Sequence, residues 1–373
     1  MVSMTRSISC HQGIQRQLCS AIVPMALGSS HLFAAVLLVS ACHRVSLGLE
    51  QSLVQIQFLR STSLSQLREA LAAGGSKATE PAMATTLMLC FSEIVAGEDD
   101  VDSWRVHFRG ARAIWRGVQQ ARQETSVWKF LDRLYKSIEV IALSCGLLNA
   151  SDDLLTSTEP SNEEYIDDLT GFSTALLSTF DEINHLTNMT QRTEGLPEGL
   201  FLQETCEILV QKVDGLLSTR EPIFSTEVDG LLTPLARFDF FMLDEAYHHM
   251  ALLQLYFKAS GIYDVGRVHQ SVAAILACVN KMSFGDEPCP SAAVLPPLFV
   301  AGCHSNNPED RQAVMRLLYK SEMFFGMGNV KSARESLKRL WAVWDSLDEE
   351  GECDEYCNEW QDAIGMSISK SLI

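Results

Sequence analysis

Apolar side chains that recur at intervals of three and four residues are the feature that most restricts the fold of this chain. The clearest run lies in residues 329–347, where lysine, arginine and glutamate side chains occupy the opposite face. The apolar positions of this run are Val330, Ala333, Leu337, Leu340, Trp341 and Trp344. Such spacing predicts an α-helix that buries one stripe of its surface against a protein core.

The same periodicity, interrupted by glycine, proline and acidic turns, covers most of the chain. Residues 149–163 are polar and acidic, and residues 284–297 are rich in proline, glycine and acid, so both are predicted to be loops. No convincing alternating strand pattern, fixed-period repeat or phosphate-binding loop is visible. The sequence therefore predicts an all-α fold, a bundle-like domain of many helices. The predicted helices cover residues 31–44, 47–73, 82–96, 103–122, 126–148, 164–188, 198–218, 234–259, 264–282, 308–326 and 329–347.

The balance of charge restricts the partners of the protein. Its 373 residues carry a formal net charge of −18, and 47% of them are hydrophobic. That hydrophobic share is typical of a folded protein with a sizeable core. Affinity for DNA comes largely from lysine and arginine side chains that neutralise phosphates. A chain this acidic is therefore not expected to bind nucleic acid directly, whereas a basic protein partner would suit it.

The spacing of the eleven cysteines argues against a zinc site or a disulfide framework. No two of them form a Cys-x-x-Cys pair, and Cys353 and Cys357 have no second pair or histidine nearby. Most of the others lie in apolar runs, where a free cysteine behaves as a small hydrophobic residue. The sequence therefore predicts a reduced, intracellular protein with no metal site and no cofactor.

Residues 17–43 contain no lysine, arginine, aspartate or glutamate, which raises the question of a membrane segment. Crossing a bilayer takes about 20 predominantly apolar residues. Here Pro24, Gly28 and His31 interrupt the stretch, and the apolar run that follows at residues 32–39 is too short to cross. We therefore expect a buried helix and no membrane partner.

One predicted helix carries a row of arginines. The row consists of Arg105, Arg109, Arg112 and Arg116, spaced four, three and four residues apart along one face. Guanidinium groups bind phosphates and carboxylates with two parallel hydrogen bonds, so the row is a candidate contact for a protein partner or an anionic ligand. The favoured alternative is that these arginines pair with carboxylates of the protein itself and lie over its core.

Two further clusters invite a catalytic interpretation. Asp244 and His248 are four residues apart and can share a helix face, but no third ligand for a metal lies near them in sequence. Cys303 and His304 are adjacent, and sequence neighbours rarely give a thiolate and its base the required geometry. We therefore expect these residues to be structural and the protein not to be an enzyme.

Two separate parts of the sequence resemble a known family. The first begins Ala84-Thr-Thr-Leu-Met-Leu-Cys-Phe-Ser-Glu-Ile and, after an acidic turn, continues Trp104-Arg-Val-His-Phe-Arg-Gly-Ala-Arg-Ala-Ile-Trp. The second reads Leu295-Pro-Pro-Leu-Phe-Val-Ala-Gly-Cys, then Glu309-Asp-Arg, then a helix that reaches Leu340-Trp. Together they resemble the fungal-specific transcription factor domain, a helical regulatory region that usually follows a zinc-binuclear-cluster DNA-binding module.

The resemblance implies a domain organisation. It divides the chain into an N-terminal segment (1–20), a helical domain (21–347) and an acidic tail (348–373). The sequence contains no zinc cluster, and three explanations fit this difference from the family pattern. The protein works through a DNA-binding partner, or the sequence lacks a first exon, or the domain has been recruited to another role.

The resemblance also implies a function. We expect a transcriptional regulator that resides in the nucleus and works through protein partners, either a DNA-binding transcription factor or a second copy of the chain. Such regulators are common in fungal biosynthetic gene clusters, so control of a cluster is one expected role. The alternative is a small-molecule-binding or accessory protein of a biosynthetic pathway, without a DNA-binding role. An apolar small molecule would then bind between helices, and the acidic tail would be solvated or act as an activation segment.

Overall fold

The computed structural model describes residues 2–49, 52–73, 79–97, 103–119, 125–147, 164–190, 199–258, 264–285 and 287–350. Within these ranges the chain forms fifteen α-helices, one 3-10 helix and no β-strand. The predicted all-α fold of many helices is therefore confirmed. The predicted loop at 149–163 lies outside the described residues, as does the acidic tail from residue 351 onward.

Most helices lie close to the positions that periodicity predicts. The 3-10 helix, Pro290–Ala293, lies between α12 and α13. The α-helices are α1 (Val2–Ser7), α2 (Gln12–Gly28), α3 (Ser30–Ser46), α4 (Leu53–Ala73), α5 (Thr79–Ala96), α6 (Ser103–Gln119), α7 (Ser126–Ser144), α8 (Thr174–Thr190), α9 (Gly199–Thr219), α10 (Thr226–Asp229), α11 (Pro234–Lys258), α12 (Val265–Lys281), α13 (Leu295–Cys303), α14 (Pro308–Phe325) and α15 (Gly328–Glu350).

Helices α3 and α5 form the centre of the N-terminal half. Helix α3 packs against α4 and α5, and α5 packs in addition against α6 and α7. Most residues of α5 are buried, including the run Ala82–Cys90. A helix that is apolar on most of its circumference is stable only when other helices surround it, which explains the central position of α5.

Helix α11 has the same role in the C-terminal half. It packs against α8, α9, α12 and α13, and all nine residues of α13 are buried. Pro296 and Pro297 lie in the first turn of α13, where the missing N–H costs no helical hydrogen bond. Helix α15 packs against α13, α14 and α5, so the two halves share one hydrophobic core.

The predicted stripe of α15 faces this core. Val330, Ala333, Leu337, Leu340 and Trp341 are buried and Trp344 is half-buried. The Trp341 indole Nε1 donates to the Gly302 carbonyl oxygen of α13 at 3.0 Å. A Cβ placed on Gly302 would lie only 2.7 Å from Leu337 Cδ1. The absence of a side chain at Gly302 therefore allows α13 and α15 to approach each other closely.

The sequence predicts no helix before residue 31, but the structure contains two. His11 caps α2, because its side chain accepts a hydrogen bond from the Gly13 N–H at 3.1 Å. Pro24 lies inside α2, although a proline usually ends or kinks a helix. Met4 and Leu18 are buried in the main core, so tertiary packing outweighs the weak local signal. The predicted domain boundary after residue 20 falls within α2.

The predicted helix at 164–188 begins ten residues late. The Asp167 carboxylate accepts backbone hydrogen bonds from Leu169 at 3.0 Å and Thr170 at 2.9 Å. Gly171 then adopts a φ of +87°, which an L-residue with a side chain rarely adopts. This turn competes with the helix, because an aspartate side chain can satisfy nearby backbone N–H groups. Helix α8 therefore starts only at Thr174.

The uncharged stretch at residues 17–43 is divided between two packed helices, α2 and α3. Among the described residues, no helix combines the length and the apolar character that crossing a bilayer requires.

Candidate functional site on helix α6 and in two cavities

The apolar face of α6 fixes how this helix is rotated against the core. Trp104, Phe108, Ala111 and Trp115 are all buried. The Phe108 ring stacks on Tyr135 of α7 with a centroid distance of 5.0 Å and an interplanar angle of 12°. Trp115 also stacks on Tyr135, at 6.3 Å. This packing determines which of the four arginines reach the solvent.

Arg112 turns inward and is paired within the protein. Its Nη2 donates to Glu139 Oε1 at 3.0 Å, and its Nε donates to Tyr135 Oη at 3.2 Å. Tyr135 Oη in turn donates to Glu139 Oε1 at 3.3 Å, which closes a network of three side chains. Burial alone lowers the pKa of Arg112, but Tyr135 and Glu139 raise it above its ordinary value. Arg112 therefore stays charged and ties α6 to α7.

Arg105 also has a partner within the fold. Its Nη2 donates to the Leu147 carbonyl oxygen at 3.0 Å, just after α7. Its guanidinium lies 5.6 Å from the centroid of the Trp104 ring, within the range of a cation–π contact. Arg105 thus helps to close the last turn of α7 onto α6.

Arg109 and Arg116 differ from these two because they are exposed. An α-helix has 3.6 residues per turn, so the four arginines occupy slightly different angles around the axis. Arg112 lies nearest to the apolar stripe and Arg109 farthest from it. The row is therefore split into an inner pair, Arg105 and Arg112, and an exposed outer pair, Arg109 and Arg116, which is the candidate contact for a partner or an anion.

Asp244 and His248 are buried in α11, and their contacts are local. His248 Nδ1 lies 2.8 Å from the Asp244 carbonyl oxygen and 3.6 Å from its Oδ2. Asp244 Oδ1 accepts a hydrogen bond from the Ser173 backbone N–H at 2.8 Å. The pair therefore fastens the start of α8 to α11. In the part of the chain that the structure describes, no group of three or more His, Cys, Asp or Glu side chains is placed to hold a metal ion.

Cys303 and His304 are buried at the end of α13. Burial raises the pKa of the Cys303 thiol, and a protonated thiol is a poor nucleophile. Burial also lowers the pKa of His304 to about 4. The His304 ring packs edge-on against Phe257, with centroids 5.8 Å apart. The environment of both side chains is that of a packed core.

A cluster of side chains around the buried Asp168 carboxylate, which the sequence did not reveal, joins the start of the chain to its middle. His11 Nε2 lies 2.7 Å from Asp168 Oδ2, and Arg133 Nη2 donates to Asp168 Oδ1. Burial alone raises the pKa of Asp168, but His11 and Arg133 offset this effect and hold that pKa below its ordinary value. His11 is 157 positions from Asp168, so no local pattern indicates the contact.

We expect Asp168→Asn to lower the free energy of unfolding at pH 7 by about 1–2 kcal/mol, because His11 loses its carboxylate partner and Arg133 keeps only Asp167 as a counter-ion. Since the pKa of Asp168 is depressed in the folded state, its stabilising effect is present above the unfolded pKa of about 3.9 and is lost as the pH falls through the folded value. Urea unfolding followed by circular dichroism at several pH values measures this difference.

The control for this experiment is Asp345→Asn, which removes an exposed ion pair with Arg311. Its effect should be about 0.5 kcal/mol or less. A loss that is equal for the two variants, or a difference between wild type and Asp168→Asn that persists unchanged below about pH 3, would contradict the expected coupling.

Two of the cavities between the helices are lined by residues that the structure describes. The first, of about 220 Å³, has a mixed wall whose polar members include Arg220, Asp244 and His248. The second, of about 150 Å³, lies where α1, α5, α7, α11, α13 and α15 meet, and its wall is mainly apolar, with Tyr247 and Asn329 among its polar members. A concave pocket with a mainly apolar wall is the usual kind of site for a small apolar ligand. The second cavity is therefore the candidate site for an apolar ligand.

Comparison with known proteins identifies the family. No curated protein and no solved structure matched the chain. The family model described as "Fungal specific transcription factor domain" matches residues 2–372. The match includes α1 and α2 as well as the two parts of the sequence that carry the resemblance. The chain therefore belongs to the fungal specific transcription factor domain family.

Proposed function

We propose that the protein is a transcriptional regulator that resides in the nucleus and reaches promoters through protein partners. The family match over residues 2–372 carries this proposal, because the family comprises regulatory domains of transcription factors. The net charge of −18 supports recruitment by a partner, since DNA phosphates repel a net anion. The buried thiol of Cys303 and the local contacts of Asp244 and His248 suit packing, so the proposal includes no catalytic activity.

The exposed arginines of α6 form the partner contact in this proposal. Arg109 and Arg116 reach the solvent, whereas Arg105 and Arg112 hold α6 in place. Charge complementarity between two surfaces favours the correct encounter. Exposed guanidinium groups therefore suit an acidic segment, either on a DNA-binding transcription factor or on a second copy of this acidic chain.

Chromatin immunoprecipitation of the tagged protein from its native fungal host tests this function, together with RNA sequencing of a deletion strain. We expect the wild type to be enriched at discrete promoters whose transcripts change on deletion. The double variant Arg109→Glu/Arg116→Glu should lose about five-fold or more of that enrichment, because like charges then face each other. The matched control Lys129→Glu/Lys331→Glu makes the same change in net charge at two other exposed positions and should keep its enrichment.

The outcomes separate the parts of the proposal. Absence of promoter enrichment with unchanged transcripts in the deletion strain would refute the regulatory function. Enrichment that survives in the α6 double variant would retain the function and exclude this face as the contact. The identity of the affected transcripts tests the proposed link to a fungal biosynthetic gene cluster.

A small-molecule-binding or accessory role is the second candidate function. The apolar cavity beside Tyr247 and Asn329 favours it, because bundles hold their ligands in pockets between facing helices. Retention of promoter binding in a strain starved of pathway precursors would favour a regulator without ligand control. Loss of pathway product in the deletion strain, with transcripts unchanged, would favour the accessory role.

A further inference from the structure

We propose that the apolar cavity between α5, α7, α11 and α15 binds a neutral single-ring molecule that carries one hydroxyl group, such as a simple phenol. The cavity has a volume of about 150 Å³. A cavity of this size, when lined by apolar side chains, is large enough to bind benzene. Its volume therefore suits one ring with a small substituent.

The wall of the cavity determines the charge and shape of the ligand. None of the described residues that line it is charged, and most are apolar, including Ile94, Ile138 and Leu295. A charged ligand would lose its hydration without gaining a counter-ion. Phe91 and Tyr247 also line the cavity, and aromatic side chains favour a second ring beside them. A neutral aromatic ring fits this environment best.

Asn329 supplies the polar contact. Its side chain lines the cavity and is only 8% exposed. Its Oδ1 has no hydrogen-bond partner within the described part of the chain. A buried amide oxygen without a partner is costly. This oxygen has almost no accessible surface, so a ligand hydroxyl can donate to it only when the amide turns toward the cavity, and otherwise accepts from the amide N–H.

The neighbouring hydroxyl of Tyr247 is already engaged. Its Oη donates to the Ala293 carbonyl oxygen at 3.2 Å. Burial raises the pKa of Tyr247 well above its ordinary value, so the side chain is neutral and adds no charge to the site. Asn329 is therefore the side chain from which the ligand gains a new hydrogen bond.

The cavity has an entrance at the surface. Ile8, Phe91 and Met327 line it and are half-buried. Together with Asn329 they come from the turn after α1, from α5, from the turn before α15 and from α15 itself. A bound ring would therefore contact segments from both ends of the chain and stabilise their packing. This inference does not depend on the transcriptional role, because binding can be measured on the purified protein.

Fluorine NMR titration of the purified full chain with 4-fluorophenol and 4-fluorotoluene tests the site. The two ligands have nearly the same size, and only the phenol carries a hydroxyl. We expect saturable binding of 4-fluorophenol with a Kd at or below about 1 mM. Asn329→Ala should weaken 4-fluorophenol about ten-fold and change 4-fluorotoluene by less than about two-fold, because only the phenol loses a hydrogen bond.

Two further variants locate the binding and control for stability. Ala292→Leu enlarges a side chain of the cavity wall and should weaken both ligands. Asn184→Ala removes another buried asparagine, which donates to the Leu143 carbonyl oxygen at 2.7 Å away from the cavity wall. It should leave both affinities unchanged.

Absence of saturation up to about 10 mM 4-fluorophenol would overturn the proposal. The proposal would also be overturned if Asn329→Ala weakened the binding of 4-fluorophenol and 4-fluorotoluene equally. The same holds if Ala292→Leu bound both ligands with wild-type affinity. Promoter occupancy plays no part in these measurements, so a failure here and a failure of the proposed regulatory function are distinguishable.

Discussion

Glu139→Ala is expected to lower the free energy of unfolding by about 3–5 kcal/mol, one of the two largest effects of a single substitution that we predict. The Glu139 side chain is 1% exposed and that of Arg112 is 10% exposed. Removing the carboxylate takes the Glu139 counter-ion away from the Arg112 guanidinium inside the protein. Tyr135 Oη also loses its acceptor, since it donates to Glu139 Oε1.

The loss of stability in Glu139→Ala should come from the uncompensated charge of Arg112 and not from the lost attraction between Arg112 and Glu139. Replacing a buried ion pair by apolar side chains of similar volume is often neutral. The triple variant Arg112→Met/Tyr135→Phe/Glu139→Leu should therefore recover most of the stability that Glu139→Ala loses. On the exposed side of the same helix, Arg109→Ala should change the free energy of unfolding by about 0.5 kcal/mol or less.

Urea unfolding of the four proteins, followed by far-UV circular dichroism, measures these differences. If the triple variant were as unstable as Glu139→Ala, the network would stabilise by specific hydrogen bonding and our explanation would be wrong. If Arg109→Ala were as damaging as Glu139→Ala, the division of the arginine row into inner and outer members would fail.

Gly97→Ala is expected to destabilise the protein by about 3 kcal/mol or more. Gly97 follows α5 with a φ of +61°, in the left-handed region that side chains disfavour. A Cβ at this position would overlap the backbone of Gly328 at the start of α15. Ser332 Oγ donates to the Gly97 carbonyl oxygen at 2.7 Å, which ties the two helix ends together. The substitution must therefore separate α5 from α15.

Gly328→Ala provides a second test of the close contact between the end of α5 and the start of α15. Its φ lies outside the left-handed region, so backbone strain does not contribute, but a Cβ there would overlap the carbonyl oxygens of Val95 and Ala96. We expect a loss of about 1–3 kcal/mol from overpacking alone.

Gly117→Ala on α6 is the matched control for both glycine variants. Among the described residues, and apart from its chain neighbours and the local helix backbone, no atom lies within 4 Å of the position that its Cβ would occupy. Alanine in a helix interior is favoured over glycine by about 0.5–1 kcal/mol, so this variant should be more stable than the wild type. Thermal unfolding of the three variants measures the differences. If Gly97→Ala were as stable as the wild type, α5 and α15 could separate without a loss of stability, and the prediction would be wrong.

Periodicity in the sequence was sufficient to predict most of the longer helices and the faces that α6 and α15 bury. The stripes of α6 and α15 lie against the core where the three-and-four spacing places them, because a helix in water is stable mainly when its apolar stripe is covered. The family was also accessible from local motifs, since the residues after Ala84 and after Leu295 carry its pattern.

Predictions from the local sequence were less successful where a turn or a tertiary contact outweighs the local helix signal. The carboxylate of Asp167 holds residues 167–171 in a turn inside a predicted helix. Helices α1 and α2 form where the local signal is weak, and packing of Met4 and Leu18 in the main core compensates for it.

The roles of the arginines show most clearly what the sequence alone determines. Their spacing predicted one face, and Arg105, Arg109, Arg112 and Arg116 do share it. Which of them pairs internally depends on a rotation of α6 that the rings of Phe108 and Tyr135 set through contact between two helices. Contacts between distant segments also create three other features: the side-chain cluster at Asp168, the contact of α5 with α15 at Gly97, and the cavity beside Asn329. Each joins positions far apart in the chain, so the sequence supplies the residues and only the tertiary structure brings them together.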